Sequence, residues 1–173
     1  MPKDNQTNRV SSKSGLWWLW ISAIVFALDQ WTKAIATQSL EIYQAVVVNK
    51  YLNWTLMHNE GMAFSILADQ SGWQRWAISI VGIIIVIWLL TWLRMSKFQD
   101  KFLNLGLTFV IGGAIGNIYD RLSLGYVVDF IEAHYEDYYW PAFNVADTAI
   151  TIGAFFLILD LIWGNHEDKS GKS

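Results

Sequence analysis

The chain has 173 residues, of which 54% are hydrophobic, 16% aromatic and only 16% charged, with 11 Trp among them. That is too oily and too aromatic for an ordinary soluble domain of this length, so a bilayer is the expected solvent. The lack of cysteine excludes disulfides, thiol nucleophiles and thiolate metal sites, and a formal net charge of −3 gives no reason to invoke nucleic acid.

Residues 1–14 read as a polar tail carrying Lys3, Arg9 and Lys13. The apolar run 16–36 follows and ends in Ala34-Ile35-Ala36, an A-x-A form. Asp29 and Lys33 stand where a cleavage region would be uncharged, and more apolar runs follow, so the segment reads as a retained helix rather than a signal peptide. Within 39–72, Ala45-Val46-Val47-Val48 and Tyr51-Leu52-Asn53-Trp54-Thr55-Leu56 are rich in β-branched and aromatic residues and flank Asn49-Lys50, which predicts a small hairpin. The runs 76–93 and 102–119 carry no charge, and 143–163 carries only Asp147 and Asp160. Each of the four runs has the roughly 20 residues that a hydrocarbon core of about 30 Å demands of a helix. Between the last two, residues 131–140 mix acids with aromatics, and Ile131, Tyr135 and Tyr138 share a face at helical spacing, which predicts a short helix along the interface. The expected organisation is one four-helix membrane domain over 15–164 between tails at 1–14 and 165–173.

Orientation follows from the positive-inside rule. Lys and Arg collect before the first run, in the 94–101 loop (Arg94, Lys97, Lys101) and in the tail (Lys169, Lys172), whereas the other two loops hold only Lys50 and Arg121, with Arg75 at the edge of the second run. Both termini and the 94–101 loop are therefore expected inside. Asp29, Lys33, Asp120, Asp129 and Asp147 then fall near the outer face, and Asp160 near the inner one.

Asp29 and Lys33 are spaced i,i+4, which puts them on one helix face as a self-neutralising pair. Asp120-Arg121 reads either as a solvated helix end or as part of a site. Asp129, in an apolar setting, and Asp147, just inside the fourth run, can meet at the outer surface. Two adjacent carboxylates tend to share one proton, leaving a base and an acid that can activate water and protonate a leaving amine. Helix capping, ion pairing or a proton pathway are the alternatives for these acids. His58, His134 and His166 have no metal-ligand spacing, so no metal is expected.

Five segments in order are specific in combination: Asp29-Gln30-Trp31-Thr32-Lys33, Asn59-Glu60-Gly61-Met62-Ala63-Phe64, Gly116-Asn117-Ile118-Tyr119-Asp120-Arg121, Val127-Val128-Asp129-Phe130 and Phe143-Asn144-Val145-Ala146-Asp147. Together they resemble the lipoprotein signal peptidases, the bacterial type II signal peptidases; Thr148 stands where Ser or Ala is more usual. The resemblance implies a mainly α integral membrane fold of four transmembrane helices, with a small periplasmic β-structure and a short interfacial helix. It further implies an aspartyl endopeptidase of the bacterial inner membrane. Such an enzyme acts as a monomer without cofactor, at the periplasmic face, and cleaves a prolipoprotein before its diacylglyceryl-modified cysteine. On that reading Asp129 and Asp147 are the dyad. Asn59, Gly61, Asn117, Arg121 and Asn144 support the site and substrate, and Asp29, Lys33 and Asp120 hold the architecture. Membrane lipid and the lipidated substrate are the expected partners. A transporter using the same acids, or a structural membrane subunit, is the competing reading; transport usually calls for mid-membrane acids and repeated halves, neither of which is seen.

Overall fold

The computed structural model describes residues 13–61 and 73–164. A 3₁₀ turn, Gly15–Trp18, leads into α1 (Leu19–Ser39), then β1 (Ala45–Asn49), β2 (Leu52–Asn59), α2 (Trp73–Met95), α3 (Lys101–Ser123), β3 (Val127–Tyr135), β4 (Tyr138–Tyr139) and α4 (Val145–Trp163). The tails at 1–12 and 165–173, and Met62, Ala63 and Phe64 of the second motif, lie outside the described residues.

Three of these helices, α2, α3 and α4, are long and apolar enough to cross a membrane. Helix α1 has comparable length but carries Asp29, Gln30, Thr32 and Lys33 in its second half. The outward side chains of α2 include Ile80, Val81, Ile84, Ile87 and Trp88, all at least half exposed. In water such a face would be an aggregation liability, whereas lipid is its natural solvent.

Helix α3 is the central element, packed against α1, α2 and α4. On one side Leu107 and Ile111 meet Val86, Leu89 and Leu93 of α2, and on another Ile21 and Val25 of α1 pack with Ala149 of α4. Small residues let the backbones close in. A Cβ added at Gly153 would lie 2.7 Å from the Gly106 carbonyl oxygen, one at Gly112 would lie 2.8 Å from the Ser22 carbonyl oxygen, and one at Gly113 would collide with the carbonyl oxygen of Ala146. Gly113→Ala is therefore expected to force α3 and α4 apart at the site end and cost about 1–3 kcal/mol, readable as a lowered thermal midpoint in detergent.

The end of the bundle at the 94–101 loop is pinned by polar contacts. Asn104 is fully buried; its amide donates to the Lys97 carbonyl at 2.8 Å, and its oxygen accepts from the Ser96 hydroxyl at 2.6 Å. Ser14 donates to the Arg94 carbonyl at 2.9 Å. At the other end lies a four-stranded antiparallel sheet of order β1-β2-β3-β4. The hairpin expected between 45 and 56 is present as β1 and β2, and the Asn49 side chain accepts from the Tyr51 N–H at 2.8 Å across the turn.

The interfacial helix expected over 131–140 is corrected: Ile131 to Tyr135 continue β3, and Tyr138–Tyr139 form β4. Val127, Val128, Phe130 and Ile131 suit a strand, and pairing with β2 (Asn53 with Glu132, Met57 with Asp129) satisfies their backbone. A tight turn at Glu136, with φ of 53°, then reverses the chain. The helical spacing of Ile131 and Tyr135 was coincidental, and Glu132 is buried between strands rather than facing an interface. Helix α4 begins at Val145 rather than 143, because Phe143 exchanges hydrogen bonds with Ile131 (2.9 and 3.0 Å) and extends the sheet.

Candidate active site

The Phe143 to Ile131 pairing brings the start of α4 against β3, and Asn144 occupies the junction. Asn144 is the N-cap of α4: its side-chain oxygen accepts from the Asp147 N–H at 2.9 Å, and Asp147 Oδ2 accepts from the Asn144 N–H at 3.2 Å. This reciprocal capping box fixes the direction of the Asp147 carboxylate. The Asn144 amide nitrogen donates the other way, to Asp129 Oδ1 at 2.7 Å. One fully buried asparagine thus ties both carboxylates of the expected dyad together.

Each remaining carboxylate oxygen also has a donor. Asn59 Nδ2 donates to Asp129 Oδ2 at 3.0 Å, and Asn117 Nδ2 donates to Asp147 Oδ1 at 2.8 Å. The Asn59 amide is oriented by Gly61, whose N–H donates to its oxygen at 2.9 Å; Gly61 sits at φ of 84°, where a Cβ would be strained. The Asn117 amide is oriented by Lys33 Nζ, which donates to its oxygen at 3.1 Å.

Next to these two carboxylates lies a buried charge cluster. Lys33 Nζ is 2.8 Å from Asp29 Oδ2 and 2.8 Å from Asp120 Oδ2, so with Asn117 all three of its N–H groups are used. Asp29, Lys33 and Asp120 are each at most 3% exposed, too dry for charges unless paired this completely. Asp29 Oδ1 accepts from the Ala146 N–H at 2.9 Å, satisfying an otherwise orphaned donor at the start of α4. Asp120 Oδ2 accepts from the Val128 N–H at 3.2 Å, holding the chain just before Asp129. The solvated-end reading of Asp120 is thereby set aside.

Arg121 donates to the Asn117 carbonyl at 3.3 Å, while its buried Nε has no partner among the described residues. Its guanidinium interacts electrostatically with Asp147, Asp129 and Asp120. Asp160 is 13 residues beyond Asp147 on one helix, about 20 Å away at 1.5 Å per residue, and takes no part in the site.

The two acids differ in setting. Asp129 is 2% exposed, and Asp147 is only partly buried. Burial pushes the Asp129 carboxyl up from its ordinary 3.8 to about 6, with the Asp147 charge adding to the rise and hydrogen bonds from Asn59 and Asn144 opposing it. A raised acid pKa means that the folded state holds the proton more tightly. The stability from this group is therefore complete below pH 3.8 and lost as pH rises through about 6.

Two polar features escaped the sequence reading. Gln30 Nε2 donates to Asp29 Oδ2 at 3.1 Å and to Asp120 Oδ1 at 2.9 Å; an amide between two charges in an apolar run was the available signal. Glu132 accepts from Asn53 at 3.1 Å and Thr55 at 2.8 Å inside the sheet, signalled by polar residues at alternate positions of β2.

Comparison with known proteins bears on this arrangement. A family model described as signal peptidase (SPase) II matches residues 21–163. A lipoprotein signal peptidase of Alteromonas mediterranea is 44% identical over 161 residues, 93% of this chain and 88% of that protein. One from Pseudomonas aeruginosa is 48% identical over 158 residues, 90% of this chain and 92% of its own length. A solved bacterial membrane enzyme superposes with a TM-score of 0.75 at 32% identity, covering 84% of this chain and 92% of the other.

Proposed function

The chain belongs to the signal peptidase II family, and we propose that it removes the signal peptide of prolipoproteins by water attack between Asp129 and Asp147, immediately before the diacylglyceryl-modified cysteine. The observation that carries the reading is Asn144, which holds two carboxylates of unequal burial at one place. Asp129, the drier acid, carries the shared proton; Asp147, the more open one, is the base. Asp147 takes a proton from water as the hydroxyl adds to the scissile carbonyl carbon, and Asp129 gives its proton to the carbonyl oxygen. On collapse the C–N bond breaks, Asp147 returns its proton to the leaving amine, and the diol proton goes back to Asp129. Arg121 interacts electrostatically with both carboxylates, and its buried Nε–H, without a partner among the described residues, supports a role near the substrate. On this reading the enzyme acts as a monomer, and the chemistry calls for no cofactor.

Four spans rather than three follow on this reading. The charges of α1 pair with each other and with Asp120 inside the bundle, and Gln30 and Asn117 hydrogen-bond to them, so the lipid need not solvate them. The Lys/Arg asymmetry supports a sheet and site on the periplasmic side of the inner membrane, where an apolar signal helix would stay in lipid while its scissile bond meets water. A single cysteine at exposed Lys97 should resist an impermeant thiol reagent applied from outside, and one at exposed Asp137 should react. The reverse pattern would invert the topology.

The direct test is incubation of purified protein with a diacylglyceryl-modified precursor and mass spectrometry of the new N-terminus, expected at the modified cysteine. Because Asp129 must hold its proton, turnover should fall as pH rises through about 6. A rate that climbs steadily from pH 5 to pH 8 would reverse the two roles.

A further inference from the structure

The end of the bundle away from the sheet gathers cations. Lys13, Arg94, Lys97 and Lys101 are all exposed there. The backbone that carries them is tied together: the Lys13 carbonyl accepts from the Phe98 N–H at 2.8 Å, the Ser96 carbonyl from the Gly15 N–H at 3.0 Å, and the Arg94 carbonyl from the Ser14 hydroxyl at 2.9 Å. Ser14 and Lys97 form an antiparallel bridge, and the Asp100 N–H donates to the Lys97 carbonyl at 3.0 Å just before α3 opens with Lys101. Asp100 and Asp160 are the acids of this end among the described residues, both partly buried, and Asp100 already accepts from the Lys97 N–H at 2.8 Å. Four cations against two acids leave a surplus of positive charge on a fixed frame.

The side chains set between the charges decide what this surface fits. Met95 follows Arg94, Phe98 follows Lys97 and Phe102 follows Lys101, and these three are 79%, 41% and 39% exposed. The Lys13 ammonium stands 4.7 Å over the ring of Trp17, which is itself 61% exposed. A soluble anion would meet the cations and leave this apolar surface bare, whereas a phospholipid uses both, its phosphate on the ammonium groups and its upper acyl chain on the side chains between them. A zwitterionic head group brings a cation of its own, so the surplus charge selects an anionic one. We infer that this end of the bundle binds one anionic phospholipid, with its phosphate among Lys13, Arg94 and Lys97 and its acyl chains against Trp17 and Met95. A lipid held there clamps the segment that leads into α1 onto the 94–98 loop. The site is separate from the dyad and does not rest on the peptidase reading.

Native mass spectrometry of the detergent-purified protein, titrated with dioleoyl phosphatidylglycerol and separately with dioleoyl phosphatidylcholine, tests the site. The wild type should retain one phosphatidylglycerol, bound about tenfold more tightly than phosphatidylcholine. Lys13→Gln and Lys97→Gln should each weaken that binding by about fivefold, and the double variant by more than either. All are exposed positions, so the fold is kept. Lys50→Gln makes the same charge change at the hairpin turn of the sheet and should leave the affinity as it was. Phosphatidylglycerol should also raise the thermal midpoint of the wild type and not that of the double variant. Equal retention of the two lipids by the wild type overturns the site. An equal loss in Lys50→Gln reduces it to diffuse attraction by the whole surface, and likewise overturns it. Displacement of the lipid by inorganic phosphate at the same concentration assigns the cations to a free anion and overturns the lipid.

Discussion

Asp129→Asn and Asp147→Asn are each expected to abolish precursor cleavage, whereas Asp160→Asn keeps activity near that of the wild type. Asparagine nearly preserves the shape of aspartate but cannot exchange the proton, and general acid–base transfer alone is worth typically ~10²–10⁴-fold. The fold should survive both changes at a modest cost. In Asp129→Asn the new NH₂ must face the donor nitrogen of either Asn59 or Asn144, since both already point at this carboxylate; one lost hydrogen bond costs about 1 kcal/mol. That cost is offset because a buried acid next to a second negative charge is removed. Asp160, at the far end of α4, serves as the matched control. The readout is turnover by equal amounts of detergent-stable protein. Appreciable activity in Asp129→Asn, or an Asp160→Asn as inactive as Asp147→Asn, would remove the dyad assignment.

Lys33→Met should be the most destabilising single change in the polar cluster, at about 3–5 kcal/mol. It leaves Asp29 and Asp120 buried without their shared cation and releases the Asn117 amide that points to Asp147. Asp29→Asn should cost less, because Lys33 keeps its 2.8 Å contact with Asp120. Yield and thermal midpoint in one detergent rank the two. Equal midpoints for Lys33→Met and wild type would show that the cluster carries no net stability.

Much of this site was legible from residue order. The i,i+4 spacing of Asp29 and Lys33 already implied the ion pair that the structure contains, and the β-branched run from Ala45 implied the hairpin. The partner that completes the cluster was not legible as such. Asp120 is 87 positions from Lys33, and only the parallel packing of α1 and α3 brings them together. The segment 131–140 was misread because Ile131, Tyr135 and Tyr138 fit a helical period by chance, while the competing signal, a strand partner in β2, lies some 75 residues away. Asn144 was expected as a support of site and substrate. Its double role depends on Phe143 pairing with Ile131, a tertiary contact without a local signature.

The central claim is that Asp129 and Asp147 direct water itself at the peptide carbonyl, and single-turnover cleavage in ¹⁸O-water tests it most directly. Mass spectrometry should find one ¹⁸O atom in the new C-terminal carboxylate of the released signal peptide and none in the side chains of Asp129 or Asp147. Label in either aspartate would mean that the carboxylate itself had attacked the substrate through a covalent anhydride, and would contradict the account.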